Sequence, residues 1–429
     1  MVAVSACMLG QLRPVETPRS PLFSLSPVKP APHTTGGRRS PLALLVVALV
    51  LLVMPMVSLA QGERVPTAPD SGIQPPEVSA SNIYVFDATA GVELYARNAD
   101  QRVPIASTVK IATALVVMAN TELDEEVTIL ESDLVEPPFS DMGVNGLTAG
   151  DTFTVEQLLV GLLVPSGSDA ANALARHIGM NLADTEDPET GFNAFVDEMN
   201  NYVLSIGLKN TRFSNPAGDD SDNNYSSAHD LARLGGRLMR DQTLRAIVAQ
   251  PTMSLKSIGP EQRPYADDGT NQLLGQRGVV GIKTGSTPDA GACLVSSRQV
   301  NDGRNTVITV VLGSDLAYDA NDMIATDGRW ADTEAIFNAM DDTFRWVAPA
   351  ADGVFPGLDE QMAVWGVSMQ EPPPIPVPND PAYAIRYQLV LVPPDGEKAT
   401  GRVLLYYGED EVGSLPVYPT EANQTQVAA

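Results

Sequence analysis

The 429-residue chain has few cysteines and few histidines, and their positions limit the chemistry that it can carry out. Cys7 lies near the N-terminus, so Cys293 has no partner in the rest of the chain and no disulfide is expected there. His177 and His229 are the only histidines beyond residue 60, and neither belongs to an HExxH or cysteine-rich pattern. We therefore expect no metal and no other cofactor, and a Ser-His-Asp triad would have to recruit a histidine from a helix-like segment.

Positive charge is also scarce. The chain has 27 lysines and arginines against 53 aspartates and glutamates, and the first sixty residues contain five of the basic residues but only one acidic residue. The remaining chain therefore has 22 basic and 52 acidic residues, a net charge of −30. Such an acidic body repels phosphate backbones, which argues against nucleic-acid binding and favours a solvated acidic surface.

One long apolar run occurs at residues 42–60, directly after Arg38 and Arg39. It ends in Ser58-Leu59-Ala60, small residues at the spacing that an export peptidase reads, which is typical of a signal peptide. The run is nearly long enough to cross a bilayer, so an uncleaved N-terminal membrane anchor is the alternative. Both interpretations predict a protein outside the cytoplasm, either secreted or tethered through residues 42–60.

Composition shifts divide the chain into six segments. Residues 1–60 are the signal peptide or anchor, 61–80 form a Pro-rich linker, and 81–348 form a large folded domain. A second Pro-rich linker is predicted at 349–381, a small β-rich domain at 382–418, and a disordered tail at 419–429.

Within the large domain, strand-like runs stand at both ends and helix-like segments stand between them. Residues 82–87 and 92–97 predict a β-hairpin, and 106–120 predict a helix too apolar on all sides to lie on a surface. Further helices are predicted at 155–164, 169–179, 192–206, 227–239 and 330–346, and further strands at 281–284, 292–297 and 306–312. This order predicts an α/β sandwich whose first and last strands pair in one sheet.

Ser107 and Lys110 stand three residues apart at the start of the buried helix. At this spacing both side chains project from one face, so the hydroxyl and the amine can touch. Desolvation and the positive end of the helix dipole would lower the pKa of Lys110 and let the neutral amine accept the serine proton.

Two further motifs supply polar groups. Ser166-Gly167-Ser168 lies between two apolar helix-like segments, in a tight turn. Lys283-Thr284-Gly285 ends a strand, where the lysine and the threonine could bind a peptide carboxylate at the edge of a cleft.

The three motifs occur in the order found in class A β-lactamases and penicillin-binding proteins, with 59 residues from Ser107 to Ser166 and 117 from Ser166 to Lys283. From about residue 82 to 346 the chain resembles the low-molecular-mass D-alanyl-D-alanine carboxypeptidases, serine peptidases of family S11. The resembling stretches include VELYARNADQRVPIASTVKIATAL, LLVGLLVPSGSDAANALA, TRFSNPAG and GVVGIKTGSTPDAGACLVSS. The resemblance implies the transpeptidase fold of β-lactamases and penicillin-binding proteins, an antiparallel sheet sandwiched by helices with a helical subdomain, followed by a small C-terminal β module.

The resemblance also implies a role for each motif residue. Ser107 would be the nucleophile, Lys110 its base, and Ser166 a relay of the proton to the leaving D-alanine. Ser168, Lys283, Thr284, Gly285 and Ser286 would bind the substrate, with Lys283 and Thr284 on its terminal carboxylate. The backbone N–H groups of Ser107 and Ser286 would form the oxyanion hole.

The implied partners are peptidoglycan stem peptides ending in D-Ala-D-Ala and β-lactam inhibitors. Three positions depart from the family pattern: Ser168 replaces the usual Asn, Ala217 a His found in some members, and Ser286 the His that is common after the K-T-G motif. Two other activities stay open on sequence grounds. One is a penicillin-binding endopeptidase that cuts crosslinks, and the other is a β-lactamase in which Glu189 and Asn193 would serve deacylation.

Overall fold

The computed structural model describes residues 70–136, 142–143, 145–320, 324–351, 353–391 and 401–420. The predicted leader and tether at 42–60, residues 61–69 of the first linker and the tail beyond residue 420 lie outside these ranges. Among the described residues no helix combines the length and the apolar character needed to cross a membrane.

The strands are numbered in chain order, and so are the α-helices. The strands are β1 (Asn82–Asp87), β2 (Val92–Arg97), β3 (Glu126–Thr128), β4 (Thr152–Thr154), β5 (Thr252–Lys256), β6 (Pro264–Asp268), β7 (Val279–Thr287), β8 (Gly291–Val300), β9 (Asn305–Ser314), β10 (Leu316–Tyr318), β11 (Ile324–Asp327), β12 (Phe344–Val347), β13 (Val367–Ser368), β14 (Ile375–Pro378), β15 (Arg386–Leu391), β16 (Gly401–Tyr407) and β17 (Asp410–Pro419). The helices are α1 (Lys110–Asn120), α2 (Val155–Leu163), α3 (Ser168–Ala183), α4 (Pro188–Ser205), α5 (Ala228–Leu238), α6 (Gln242–Val248), α7 (Arg329–Thr343) and α8 (Leu358–Trp365).

A five-stranded antiparallel sheet in the order β2-β1-β9-β8-β7 forms the centre of the fold. Successive side chains along each strand point to opposite faces of the sheet, so they enter two apolar layers in turn. In β1, for example, Ile83 and Val85 belong to one buried cluster while Tyr84 belongs to the other. The first two strands therefore pair with the later ones in one sheet between two layers, and the predicted α/β sandwich is confirmed.

Helix α1 runs through the larger apolar layer and contacts α2, α3, α4 and α5. Every side chain from Lys110 to Val117 is buried, as the all-round apolar sequence KIATALVV predicts. Side-chain caps fix where several of the surrounding helices begin, since Thr154, Asp187, Ser227 and Asp241 each accept a hydrogen bond from an N–H of the first turn of their helix.

The region predicted as a second linker is folded over much of its length. It contains α8, β13 and β14, and β14 pairs with β12 although prolines occupy both Pro376 and Pro378. An edge strand tolerates proline because its outward N–H groups need no partner. The helix predicted at 330–346 correspondingly stops at Thr343, where the chain turns into β12.

The C-terminal strands form a four-stranded sheet in the order β13-β17-β16-β15. Its buried side chains, such as Leu405 and Val417, belong to the same apolar cluster as one face of the central sheet. The indole N–H of Trp346 also donates to Asp87 in β1 at 2.7 Å. That residues 382–418 form a separate β-rich domain stays a prediction. The apolar core under these strands is continuous with the core on one face of the central sheet.

Helices α3 and α4 approach closely through two glycines. A Cβ on Gly179 would lie 1.8 Å from the carbonyl oxygen of Gly191, whereas a Cβ on Gly236 in α5 would meet only the Ala88 methyl at 3.7 Å. The backbones of α3 and α4 can therefore touch only because both contact positions lack a side chain.

Gly179→Ala should lower the free energy of unfolding by about 1 to 3 kcal/mol, because the added methyl must push two helix backbones apart. Gly236→Ala is the matched control, and it should be neutral or stabilising by up to about 1 kcal/mol because alanine favours the helix and space is available. Urea unfolding of the two variants measures both effects, and equal stabilities would contradict the packing described here.

Candidate active site

Ser107 lies in a short 3-10 turn, Ala106–Val109, which leads directly into α1. The sequence predicted an α-helical first turn here, and the tighter 3-10 turn aligns positions i and i+3 one above the other. Lys110 Nζ accordingly lies 2.9 Å from Ser107 Oγ. Ala106, just before the serine, has a φ of 48°, a left-handed conformation of the kind that concentrates at functional sites.

The amine of Lys110 is fully buried and has three polar neighbours. Besides Ser107 Oγ, it lies 3.2 Å from Ser168 Oγ and 2.8 Å from the carbonyl oxygen of Ala217. Burial lowers the pKa of Lys110 to about 7, and the carboxylates of Asp219 and Asp169 oppose that shift. A substantial fraction of the amine is therefore unprotonated near neutral pH and able to take a proton from Ser107.

Ser166 and Ser168 lie at the turn between α2 and α3, as predicted. Ser166 is buried with a φ of 77°, and the N–H of Gly167 donates to the carbonyl of Gly161 at 2.9 Å, which closes the turn. Ser168 is the first residue of α3 and contacts Lys110 directly. The structure thus brings Ser107, Lys110 and Ser168 together, while the proton-relay role of Ser166 stays a prediction.

Lys283, Thr284 and Gly285 lie near the end of β7, which is an edge strand of the central sheet. Lys283 is buried and donates to the carbonyl of Thr284 at 3.0 Å, and Thr284 Oγ1 lies 2.6 Å from Thr270 Oγ1. Burial lowers the pKa of Lys283 well below its ordinary value, and the charges of Lys110 and Arg329 lower it further. No ion pair in the described part of the chain includes Lys283, so an incoming carboxylate would supply the negatively charged partner that this lysine lacks.

Two glycines enclose the backbone N–H of Ser107. A Cβ on Gly285 would lie 3.0 Å from Ser107 N, and a Cβ on Gly218, whose φ is +105°, would lie 2.7 Å from the same atom. Side chains at these positions would crowd the amide that the resemblance assigns to the oxyanion hole. The glycine of the third motif is thus explained by close packing against the turn that carries Ser107.

The three departures from the family pattern each have a structural account. Ser168 reaches Lys110 without an intervening water, Ala217 contacts it through a backbone carbonyl that does not depend on the side chain, and the Ser286 hydroxyl accepts a hydrogen bond from Arg329.

Arg329 was not predicted from the sequence. It begins α7, is buried, and donates to the carbonyls of Gly285 and Cys293 at 2.8 and 3.0 Å while pairing with Asp327 at 2.7 Å. These bonds fix the end of β7 against the start of α7. No local pattern distinguishes this arginine from a surface one, because the two carbonyls that it binds belong to strands more than thirty residues away in the chain.

The histidines of a Ser-His-Asp triad and the glutamate of a β-lactamase mechanism do not contact Ser107 or Lys110. His177 pairs with Glu125 and His229 with Asp100, so neither imidazole bonds to Ser107 or Lys110. Glu189, proposed for a β-lactamase, is exposed in the first turn of α4. That turn meets α3 at Gly179, eleven residues beyond Ser168 and hence about 16 Å along the helix.

Residues 70–316 match the family model for D-alanyl-D-alanine carboxypeptidases. The chain is 34% identical over 258 residues to the D-alanyl-D-alanine carboxypeptidase of Streptomyces sp. strain K15, covering 57% of this chain and 84% of that protein. It is 28% identical over 392 residues to D-alanyl-D-alanine carboxypeptidase DacD of Escherichia coli, covering 88% of this chain and 94% of that one. Among solved structures, penicillin-binding protein 5 of Haemophilus influenzae matches 81% of this chain and 98% of its own length, with a TM-score of 0.61 and 25% identity.

We predict that Ser168 is a working substitute for asparagine. Ser168→Asn should change the rate of acylation by a chromogenic β-lactam by less than about tenfold, because asparagine offers an acceptor of longer reach. Ser168→Ala leaves Lys110 one partner short and should cost about 1 to 3 kcal/mol in the acylation barrier, or roughly five- to 150-fold in rate.

Ser205→Ala is the matched control, since Ser205 is an exposed serine whose hydroxyl donates to the carbonyl of Tyr202 one turn earlier in α4. Stopped-flow acylation measures all three variants. An alanine variant at position 168 that reacts as fast as the parent protein would show that Ser168 has no part in catalysis.

Proposed function

This chain belongs to the D-alanyl-D-alanine carboxypeptidase family of serine peptidases, and we propose that Ser107 carries the acyl group when the protein removes the terminal D-alanine from peptidoglycan stem peptides. The observation that supports this most directly is the contact between Ser107 Oγ and the buried amine of Lys110 at 2.9 Å. A hydroxyl beside an amine whose pKa is lowered by burial to about 7 is an activated nucleophile at neutral pH.

In the acylation step, Ser107 Oγ attacks the carbonyl carbon of the penultimate D-alanine while Lys110 takes the hydroxyl proton. The negative charge that develops on the carbonyl oxygen would be stabilised by the backbone N–H groups of Ser107 and Ser286. The bond to the terminal D-alanine then breaks, and its amine leaves with a proton that Lys110 supplies through Ser166. Water hydrolyses the resulting ester, with Lys110 again acting as base.

Substrate binding would place the terminal carboxylate at Lys283 and Thr284. Both side chains lie on the edge strand of the sheet, and burial together with the positive charges of Lys110 and Arg329 lowers the pKa of Lys283. Arg329 already pairs with Asp327, whereas Lys283 belongs to no ion pair among the described residues, so a carboxylate is the partner that Lys283 would take. The resulting charge-assisted hydrogen bond gives the site its preference for a free C-terminus.

The substrate also determines where the protein works. Peptidoglycan lies outside the cytoplasm, so we propose an extracytoplasmic protein that residues 42–60 either export or anchor to the membrane.

Incubation of the mature protein with a pentapeptide ending in D-Ala-D-Ala should release free D-alanine, and Ser107→Ala should abolish the release because it removes the hydroxyl that forms the ester. Ser205→Ala should release D-alanine at the parental rate, since that serine is exposed on α4. Equal release by Ser107→Ala and by the parent would overturn the assignment of the nucleophile.

Two further substrates separate the alternatives. Intact-mass spectrometry with penicillin should show a lasting adduct that Ser107→Ala lacks, whereas rapid turnover without an adduct would indicate a β-lactamase. A crosslinked peptide dimer that is cleaved faster than the pentapeptide would indicate an endopeptidase.

Lys283→Met should impair cleavage of substrates with a free C-terminal carboxylate far more than cleavage of the same substrates with an amidated C-terminus. Loss of one charge-assisted contact costs about 1.5 to 3 kcal/mol, roughly ten- to 150-fold in kcat/KM. Steady-state kinetics on the free and amidated pair measures the difference. An equal loss on both substrates would refute the carboxylate role.

A further inference from the structure

Asn215 folds the loop between α4 and α5 around its own side chain. Its Oδ1 accepts hydrogen bonds from three successive backbone N–H groups, those of Ala217 at 3.2 Å, Gly218 at 2.7 Å and Asp219 at 3.2 Å. Its Nδ2 donates to the carbonyl of Asp219 at 3.2 Å. One amide side chain therefore fixes the backbone of residues 215–219.

The loop at 215–219 directs two consecutive backbone carbonyls at α1, the helix that follows Ser107. The Pro216 carbonyl accepts from Thr113 Oγ1 at 2.7 Å, and the Ala217 carbonyl accepts from Lys110 Nζ at 2.8 Å. Lys110 and Thr113 stand three residues apart on one face of α1, so the loop binds one stripe of that helix. The next loop residue, Gly218, packs against the peptide between Ala106 and Ser107.

The Ala217 carbonyl has a distinct effect on the amine. A neutral amine has two N–H donors and one lone pair, and a carbonyl oxygen can only accept. One N–H is therefore committed to Ala217 and the second can go to Ser168 Oγ, 3.2 Å away. The lone pair is then left for the third neighbour, Ser107 Oγ, whose proton must be removed.

Charged groups on three elements surround Lys110. Asp219 in the loop and Asp169 at the start of α3 favour its protonated form, and Lys283 in β7 interacts with it as a like charge. Asp169 is held separately, by the backbone N–H groups of Met142, Leu147 and Ala170. Of the two carboxylates, only Asp219 has its backbone fixed by Asn215.

We propose that Asn215 is a positioning residue for acylation, which holds the Ala217 carbonyl on Lys110 and so directs the lone pair of the amine at Ser107. The inference rests on the proposed roles of Ser107 and Lys110 and adds to them the residue that orients the base. Asn215 touches neither substrate nor nucleophile and acts through the backbone of its own loop.

The test is the pH dependence of the second-order rate of acylation by a chromogenic cephalosporin, from about pH 5 to about pH 9. In the parent protein the rate should rise through about pH 7, because Lys110 must lose its proton. Asn215→Ala should lower the upper plateau roughly ten- to hundredfold, since the base loses its orientation. Its rising limb should move to lower pH, because the ammonium form has lost an acceptor and is disfavoured.

Asn215→Asp should move the rising limb of the pH profile in the opposite direction. Its carboxylate can still accept from the same three N–H groups, so it should recover most of the plateau. The added negative charge favours the ammonium form of Lys110, and the limb should move to higher pH by roughly half a unit or more. If Asn215→Ala does not fold, the limb of Asn215→Asp decides alone, and an unshifted limb overturns the proposal.

Asn224→Ala is the matched control, because Asn224 Nδ2 donates to the same Asp219 carbonyl at 3.1 Å but bonds to none of the three loop N–H groups. It should lose stability while keeping the parental plateau within about twofold. An Asn215→Ala variant that loses stability like Asn224→Ala but keeps the parental pH profile would show a purely structural role. A parent protein that no cephalosporin acylates would instead overturn the proposed function itself.

Discussion

The burial of one amine is the constraint on which the rest of this site depends. A lysine removed from water loses the hydration of its ammonium group. The two hydroxyls and one carbonyl around Lys110 Nζ replace only part of that hydration. The carboxylates of Asp219 and Asp169 act on Lys110 without bonding to it, so the pKa of the amine falls through burial to about 7 rather than further. A proton acceptor at neutral pH is thus a consequence of packing α1 into the centre of the larger apolar layer.

The same packing explains why the site needs glycines and tight turns. The start of α1 lies between the end of β7 and the loop at 215–219, and each of these approaches the Ser107 amide through a residue without a side chain, Gly285 or Gly218. Arg329 ties the end of β7 to the start of α7. The candidate active site therefore lies where the sheet edge, the buried helix and one loop converge, and its geometry depends on contacts between segments far apart in the sequence.

Much of this arrangement could be predicted from the sequence, and the exceptions have physical reasons. Two strand-like runs separated by a turn signal predicted the bounds of β1 and β2, and the all-round apolar character of residues 106–120 predicted a buried helix. The proline content of residues 349–381 predicted a linker, but an edge strand such as β14 tolerates proline because not every N–H of such a strand needs a hydrogen-bond partner. The roles of the Ala217 carbonyl and of Arg329 could not be predicted, since a backbone acceptor has no residue signature and the carbonyls that bind the arginine are distant in sequence.

The central claim is that Lys110 is neutral for a substantial fraction of the time at physiological pH. It can be measured directly by a pH titration of the side-chain NMR signals of lysine-labelled protein, with Lys110→Arg and Lys283→Met identifying the resonances of the two buried lysines. The account predicts that the signal of Lys110 titrates with a pKa near 7, and that it moves upward in Asn215→Asp. A Lys110 signal that titrates near 10.5, the ordinary value for lysine, would contradict the account.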